Sequence, residues 1–126
     1  MHALIVDDSR AMRHVLKRIV EPLGFEIAEA GNGLEALQRL KEFPGAELAL
    51  VDWNMPEMNG FEFVKAVRAE TVYAEMKIVM VTTETEPTKM ARALMAGADE
   101  FLMKPFTPEM LLDKLNLIGV PTSSVA

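Results

Sequence analysis

Five polar residues of this sequence each follow a short apolar run. Asp7 and Asp8 come after one run, Asp52 after a second, Thr82 after a third and Lys104 after a fourth. If these runs are parallel strands, their carboxyl ends meet at one edge of a sheet, where open α/β sheets bind ligands. We therefore expect the five side chains to share one site.

Three carboxylates held together need a cation, because two unit charges 4 Å apart cost about 4 kcal/mol at an effective dielectric constant of about 20. The chain has no cysteine and its histidines form no pair, so the available ligands are hard oxygens. Such ligands favour Mg²⁺, Mn²⁺ or Ca²⁺ over zinc or copper. Mg²⁺ also binds phosphates, so the set suits phosphoryl chemistry, with Lys104 and a threonine hydroxyl completing an electrostatic clamp. The alternative is that each aspartate merely caps a helix or forms a turn.

The elements that must position these residues follow from an alternation of β-type runs with stretches of helical period, which predicts an α/β domain with a parallel sheet. Several of the runs are apolar throughout, as expected when helices cover both faces of the sheet. We predict five strands, at residues 3–6, 26–30, 48–51, 77–81 and 100–103.

Apolar residues recur at helical spacing between the strands and predict core-facing stripes. These are Met12, Val15, Leu16 and Ile19, then Leu34, Leu37 and Leu40, then Phe63, Val64 and Val67. Predicted N-caps are Ser9, Asn32, Asn59 and Thr107, the last followed by Pro108 at the first helical position. The fourth helix has competing starts at residues 85–88, and Gly97 is its expected left-handed end.

Length and composition limit the possible functions. The 126 residues are enough for one domain, which we predict over 1–126 with a core at about 3–117 and a loose tail at 121–126. With 50% apolar and 25% charged residues, no long apolar run and no leader-like start, we expect a cytoplasmic protein without membrane insertion. The net charge of −6 is unfavourable for binding nucleic acid or anionic lipid and favours a protein partner or a small cationic ligand.

Four motifs occur in a specific order at the predicted strand ends. They are Val6-Asp7-Asp8-Ser9-Arg10, Val51-Asp52-Trp53-Asn54-Met55-Pro56 with Gly60 beyond it, Val81-Thr82, and Met103-Lys104-Pro105-Phe106. With these motifs the chain resembles response-regulator receiver domains, in particular the stand-alone, CheY-like chemotaxis type, over about residues 3–117. The resemblance implies a flavodoxin-like, doubly wound sheet of five parallel strands in order 2-1-3-4-5, with five helices.

The resemblance also implies a role for each site residue. Asp52 would be the phosphoacceptor, taking a phosphoryl group from a phosphohistidine of a sensor histidine kinase or from a small acyl phosphate. Mg²⁺, with Mn²⁺ as the alternative, would be held by Asp8, Asp52 and the backbone carbonyl of Asn54, and by Asp7 through a water. Lys104 would pair with the phosphoryl group.

Thr82 and Phe101 are the switch residues that the resemblance implies. The Thr82 hydroxyl would move to bind the phosphoryl group, and the aromatic residue at 101 would turn inward. Similar chains usually carry tyrosine there. Phe101 has no hydroxyl to bury unpaired, so we expect its inward rotamer to be favoured even before phosphorylation. The alternative is that Phe101 only packs in the core. The bond between Lys104 and Pro105 is expected to be cis.

Site access and phosphate lifetime depend on the residues that flank the site. Thr83 is larger than the residue that usually follows the switch threonine, and we expect it to narrow access to Asp52. Asn54 and Glu84 match residues that accompany quick loss of phosphate in similar chains. Trp53 is expected to form a partly exposed cover over the site.

The output surface implied by the resemblance is the face of the fourth helix, fifth strand and fifth helix. It would carry four methionines and two possible partner contacts, Met90, Met95, Met103 and Met110 with Lys89 and Arg92. The charged residues could instead form a solvated helix face.

The resulting hypothesis is a monomeric signalling protein, not an enzyme, which assists its own phosphorylation and dephosphorylation, in chemotaxis. Four alternatives stay open: a phosphorelay intermediate or adaptor outside chemotaxis, a phosphatase with an aspartyl nucleophile, a flavin carrier, and a degenerate receiver that only binds.

Overall fold

The computed structural model describes residues 1–122, in which five strands alternate with five helices. The strands are β1 (His2–Val6), β2 (Glu26–Ala30), β3 (Leu48–Val51), β4 (Lys77–Thr82) and β5 (Glu100–Met103). The helices are α1 (Arg10–Val20), α2 (Gly33–Glu42), α3 (Gly60–Arg68), α4 (Pro87–Ala96) and α5 (Pro108–Leu117), with short 3₁₀ turns at Glu21–Leu23 and Thr71–Tyr73. All five predicted strands are confirmed, with β1 beginning one residue earlier, at His2, and β4 ending one residue later, at Thr82. Residues 123–126 of the predicted tail lie outside the described residues.

The strands form one parallel sheet in the order β2-β1-β3-β4-β5, as the resemblance implied. The central strands β1, β3 and β4 are almost wholly buried, whereas the edge strands β2 and β5 carry charged residues at half-buried or exposed positions. This difference follows from position, because both faces of a central strand in a parallel sheet are covered by helices.

Alternate residues of each strand point to opposite sides of the sheet, and a separate core forms on each side. Leu4 and Val6 of β1 belong to the core beneath α2, α3 and α4. Ala3 and Ile5 belong to the core beneath α1 and α5. The two layers hold the loops at the carboxyl edge of the sheet over a rigid base.

Four of the five helices begin at the predicted cap. Ser9, Asn32, Asn59 and Thr107 each accept a hydrogen bond from the backbone N–H three residues on. Helix α4 begins at Pro87 with no side-chain cap at Glu86. It ends at Ala96 and is followed by Gly97 as the C-cap, whose φ of 124° is positive as predicted. The competing start signals at 85–88 are resolved by Pro87 occupying the first helical position.

Two residues of the predicted core stripes are not in the core. Val15 is 44% exposed and Leu34 is 52% exposed. Leu16 and Leu40 are buried as predicted, and Val20 in α1 and Ala36 in α2 are buried with them although the sequence analysis did not include them. Apolar spacing alone could not tell the buried edge of the stripe from its solvent edge.

Within residues 1–122, none of the helices combines the length and the apolar character needed to cross a bilayer.

Candidate functional site

The carboxyl edge of the sheet brings the three aspartates together. Val6 pairs with Val51 in the β1–β3 ladder, so the residues that follow them, Asp7 and Asp52, leave neighbouring strands at the same level. One carboxylate oxygen from each of Asp7, Asp8 and Asp52 lies within 4.8 Å of the others. Two short stretches 44 residues apart therefore form one acidic cluster.

Lys104 reaches this cluster from the end of β5. Its Nζ lies 2.7 Å from Oδ2 of Asp7 and 3.5 Å from Oδ2 of Asp52. The backbone N–H of Lys104 donates to the carbonyl of Thr82, which aligns the residue with β4, and the peptide bond to Pro105 is cis. The ammonium group partly neutralises two of the three carboxylates.

Asp7 is 1% exposed and both of its carboxylate oxygens have protein donors. Oδ1 accepts from the Ser9 N–H at 2.8 Å, and Oδ2 accepts from Lys104. The Asp7 carbonyl accepts from the Arg13 guanidinium, which also pairs with Glu29 at 3.0 Å. Sequence reasoning missed Arg13, whose only signal was its place one turn after Ser9 in α1. Asp7 is thus fixed in position, whereas Asp8 is exposed.

Asp52 is 7% exposed, and its Oδ1 is buried without a hydrogen-bond partner among residues 1–122. Burial raises the pKa of the Asp52 carboxyl, the Lys104 charge opposes that rise, and the Asp7 charge adds to it. A buried carboxylate oxygen without a hydrogen-bond partner is available as a metal ligand, and the two other acids beside it offer further oxygen ligands. Hard cations prefer such ligands, so the residues present fit Mg²⁺.

The loop after Asp52 has little freedom. The Gly60 N–H donates to the Trp53 carbonyl at 2.9 Å, and a Cβ at Gly60 would collide with the Asp52 carbonyl. Glu57 has a φ of 66°, in the left-handed region that is uncommon for residues other than glycine. Asn54 is exposed and lies near the start of this loop, two residues after Asp52.

Thr82 connects the site to the start of α4. Its buried hydroxyl oxygen accepts from the Glu84 N–H at 3.1 Å. The Glu84 carboxylate in turn accepts from the N–H groups of Thr85 and Glu86 and pairs with Lys89 at 3.3 Å. These bonds lower the pKa of Glu84, and the bond from the Glu86 N–H has the largest effect. The Glu84 carboxylate in turn raises the pKa of Lys89. Thr83, between them, is exposed.

Two aromatic residues near the site differ in burial. Trp53 is only 7% exposed, so the predicted partly exposed cover is wrong. Its ring stacks on Phe61 at 5.4 Å between centroids, because the first turn of α3 folds back over it. Sequence reasoning did not single out Phe61. Phe101 is half-buried, packs against the core beneath α2, α3 and α4, and has Lys114 Nζ 5.7 Å from its ring centroid.

Residues 3–116 match the model of the response regulator receiver domain. The chain belongs to this family. The receiver domain is 42% identical over 119 residues to the chemotaxis protein CheY1 of Helicobacter pylori, covering 94% of this chain and 96% of that one. It is 46% identical over 116 residues to the chemotaxis protein CheY homolog of Campylobacter jejuni, covering 91% and 89%.

Solved structures agree with the receiver assignment. The chain superposes on CheY4 of Vibrio cholerae with a TM-score of 0.85 at 40% identity, covering 93% of this chain and 97% of the other. It superposes on a chain of the CheX-CheY complex with BeF3 and Mg²⁺ from Borrelia burgdorferi with a TM-score of 0.87 at 25% identity, covering 96% and 90%. The chain is a response regulator, a signalling protein and not a classical enzyme.

Proposed function

We propose that this receiver domain takes a phosphoryl group on Asp52 from a sensor histidine kinase and thereby changes its affinity for a partner protein in chemotaxis. The observation that carries the proposal is the acidic cluster itself, three carboxylates within 4.8 Å with Lys104 at 2.7 and 3.5 Å from two of them. The chemotaxis names of the relatives in Helicobacter and Campylobacter support the process.

The chemical step is a displacement at phosphorus. An oxygen of the Asp52 carboxylate forms the new bond to phosphorus, the bond from phosphorus to the histidine nitrogen breaks, and the imidazole leaves as the neutral base after taking a proton from water. Lys104, already beside Asp52, pairs with the transferred charge. The same constellation, with water as the nucleophile, lets the domain assist its own dephosphorylation.

Mg²⁺, or Mn²⁺ in its place, fits Asp8, Asp52 and the Asn54 backbone carbonyl, with Asp7 acting through a water. When bound, the ion neutralises the phosphoryl oxygens as charge develops on them. Asp7 is suited to the outer role because its two oxygens already accept from Ser9 and Lys104. Asp8 is suited to the direct role because it is exposed.

The switch passes through Thr82. If its hydroxyl turns to a phosphoryl oxygen, the bond from the Glu84 N–H is lost, and the loop that Glu84 holds at the start of α4 is released. Phe101 occupies the neighbouring strand β5, and its rotamer is the second element of the switch. Asn54, Thr83 and Glu84 border the approach to Asp52 and set donor access and phosphate lifetime.

The downstream partner binds the surface formed by α4, β5 and α5, and the protein acts as a monomer. Met90, Met103 and Met110 lie on these elements. A role as a phosphorelay intermediate would use the same site and differ only in the partner. The phosphatase alternative is not favoured, because Asp52 follows β3 and the family is that of receivers.

The test is covalent labelling with acetyl phosphate and Mg²⁺, measured by intact-protein mass spectrometry. We expect one added phosphoryl group on the wild type and none on Asp52→Asn. Asp113→Asn, an exposed aspartate on α5, is the matched control and should label like the wild type. Equal labelling of Asp52→Asn and the control would disprove the phosphoacceptor assignment.

A further inference from the structure

A groove of about 510 Å³ lies between α3 and α4, on the α3 side of α4 and apart from the acidic cluster. Its apolar lining includes Phe61 from α3 and Met95 and Ala96 from α4. Met95 is 88% exposed, an unusual position for a large apolar side chain on a helix. The sequence assigned Met95 and Arg92 to the proposed output face, yet both line this groove.

The charged lining of the groove is entirely basic. Lys65, Arg68 and Arg92 line it and no acidic residue does, although the chain carries a net charge of −6. A basic patch on an acidic protein is selective for anionic groups, because the remaining surface repels them.

Arg68 gives the groove a fixed width. Its guanidinium donates to the Gly97 carbonyl at 2.9 Å and the Tyr73 carbonyl at 2.7 Å, and pairs with Asp99 at 3.0 Å. These bonds tie the end of α3 to the end of α4, so the groove exists before any ligand arrives and little ordering is needed on binding.

Lys65 and Arg92 are the cations left for a ligand. Both are exposed, and neither forms an ion pair within residues 1–122. They lie on opposite helices, with Lys65 Nζ 5.4 Å and Arg92 Cζ 4.7 Å from the Phe61 ring centroid. One charge therefore comes from α3 and the other from α4, both next to the apolar lining of the groove.

The ligand class follows from which groups are free. The Phe61 ring already contacts Trp53 and both cations, so it offers no open face on which a nucleobase could stack. The backbone of both helices is hydrogen-bonded internally, so side-chain charges supply the polar contacts. Two separated cations beside an apolar strip match carboxylates that flank an apolar side chain.

We propose that the groove between α3 and α4 binds an acidic peptide segment of a partner protein, with an apolar side chain against Met95 and Ala96 and carboxylates paired with Lys65 and Arg92. Binding requires neither Mg²⁺ nor phosphate on Asp52. It is therefore a second interaction site, independent of the function proposed above.

The test is an NMR titration of the unphosphorylated ¹⁵N-labelled protein, without Mg²⁺, using the blocked peptide Glu-Glu-Leu-Glu-Glu. We expect saturable shifts confined to α3, α4 and the indole of Trp53, the chain's single tryptophan, which stacks on Phe61. The peptide Gln-Gln-Leu-Gln-Gln and a mononucleotide should leave these signals unchanged.

Matched variants locate the contact. The double variant Lys65→Ala/Arg92→Ala should weaken the peptide at least about five-fold, the effect of losing two exposed ion pairs. The control Arg18→Ala/Lys41→Ala removes two exposed cations from α1 and α2 and should bind like the wild type. Each variant's ¹⁵N spectrum reports its fold.

Three outcomes would overturn the proposal: shifts spread over the surface, no saturable shift at millimolar peptide, or equal weakening in both double variants. Preference for the mononucleotide would assign the groove to a different ligand and also count against it. A protein that fails to label with acetyl phosphate could still bind the peptide, so the two proposals fail separately.

Discussion

Asp52 combines two properties that conflict in a folded protein. It is buried beside another carboxylate, and one of its oxygens has no donor within the described part of the chain. Lys104 relieves part of the repulsion but pairs more closely with Asp7, at 2.7 Å against 3.5 Å. The site is therefore held in a destabilised form that a bound cation relieves.

A first prediction concerns the pH dependence of stability. The folded pKa of Asp52 is raised, so the folded state binds a proton more readily than the unfolded chain, whose aspartate pKa is about 3.9. Stability is thus lost as the pH rises from about 3.9 through the raised value, and the penalty is complete above it. Without Mg²⁺ near neutral pH, the free energy of unfolding of Asp52→Asn should be higher than that of the wild type by an amount on the order of 1 kcal/mol.

Urea unfolding with a chelator, near neutral pH and near pH 4, measures this difference. The advantage of Asp52→Asn should shrink at the lower pH. Asp113→Asn should stay within about 0.5 kcal/mol of the wild type at both. A variant less stable than the wild type near neutral pH would contradict the destabilised state of Asp52.

At the residue scale, the sequence predicted that the aspartates and Lys104 meet, because strand ends converge whatever the loops do. It could not predict the burial of Trp53. That depends on Phe61 folding back from the next helix, a contact with no local signal. The shorter distance of Lys104 to Asp7 than to Asp52 depends on how far its side chain reaches past the ends of β4 and β3, and spacing could not predict it.

Helix starts are the elements that hold the site loops in place. Asn59 ends the loop after Asp52 and forms a reciprocal capping box with Glu62, with bonds of 2.8 and 3.0 Å. Helix α4 is different. The N–H of its N-cap residue, Glu86, donates to the side-chain carboxylate of Glu84, two residues earlier in the chain. The capping signals for four helices were local and predictable. The arrangement at α4 was not, since it depends on how the loop turns after Thr82.

A second prediction tests the capping box. Asn59→Ala should lower the free energy of unfolding by about 1 kcal/mol, because the Glu62 backbone N–H loses its side-chain acceptor while the bond from the residue-59 N–H to the Glu62 carboxylate can remain. Gln38→Ala, at an exposed position inside α2, is the control and should change stability by less than about 0.5 kcal/mol. Equal denaturation midpoints for the two variants would rule out a stabilising role for the box.

At the scale of the whole molecule, alternation of strand and helix patterns predicted five βα units. The order of strands rested on resemblance, because parallel pairing leaves no mark on any single strand. The separation into two cores is a consequence of that order, with α1 and α5 on one side and the other three helices opposite.

A third prediction concerns metal binding by the intact fold. Mg²⁺ at about a hundred times its dissociation constant should stabilise the protein by about 2.7 kcal/mol, raising the melting temperature by several degrees. Calorimetry with sodium chloride at equal ionic strength is the control. In Asp8→Asn, which removes a proposed direct ligand, the shift should be much smaller. An undiminished shift in that variant would place the ion elsewhere.

The position of β1 in the middle of the sheet has a consequence for the order of assembly. Its partners β2 and β3 both come before β4 and β5 in the chain, so all three of these strands leave the ribosome before the other two. The residues that directly follow β1 and β3 include all three clustered aspartates, while Lys104 arrives half a chain later. During synthesis the nascent sheet must therefore tolerate unbalanced negative charge, and divalent ions in the surrounding solution should speed its maturation.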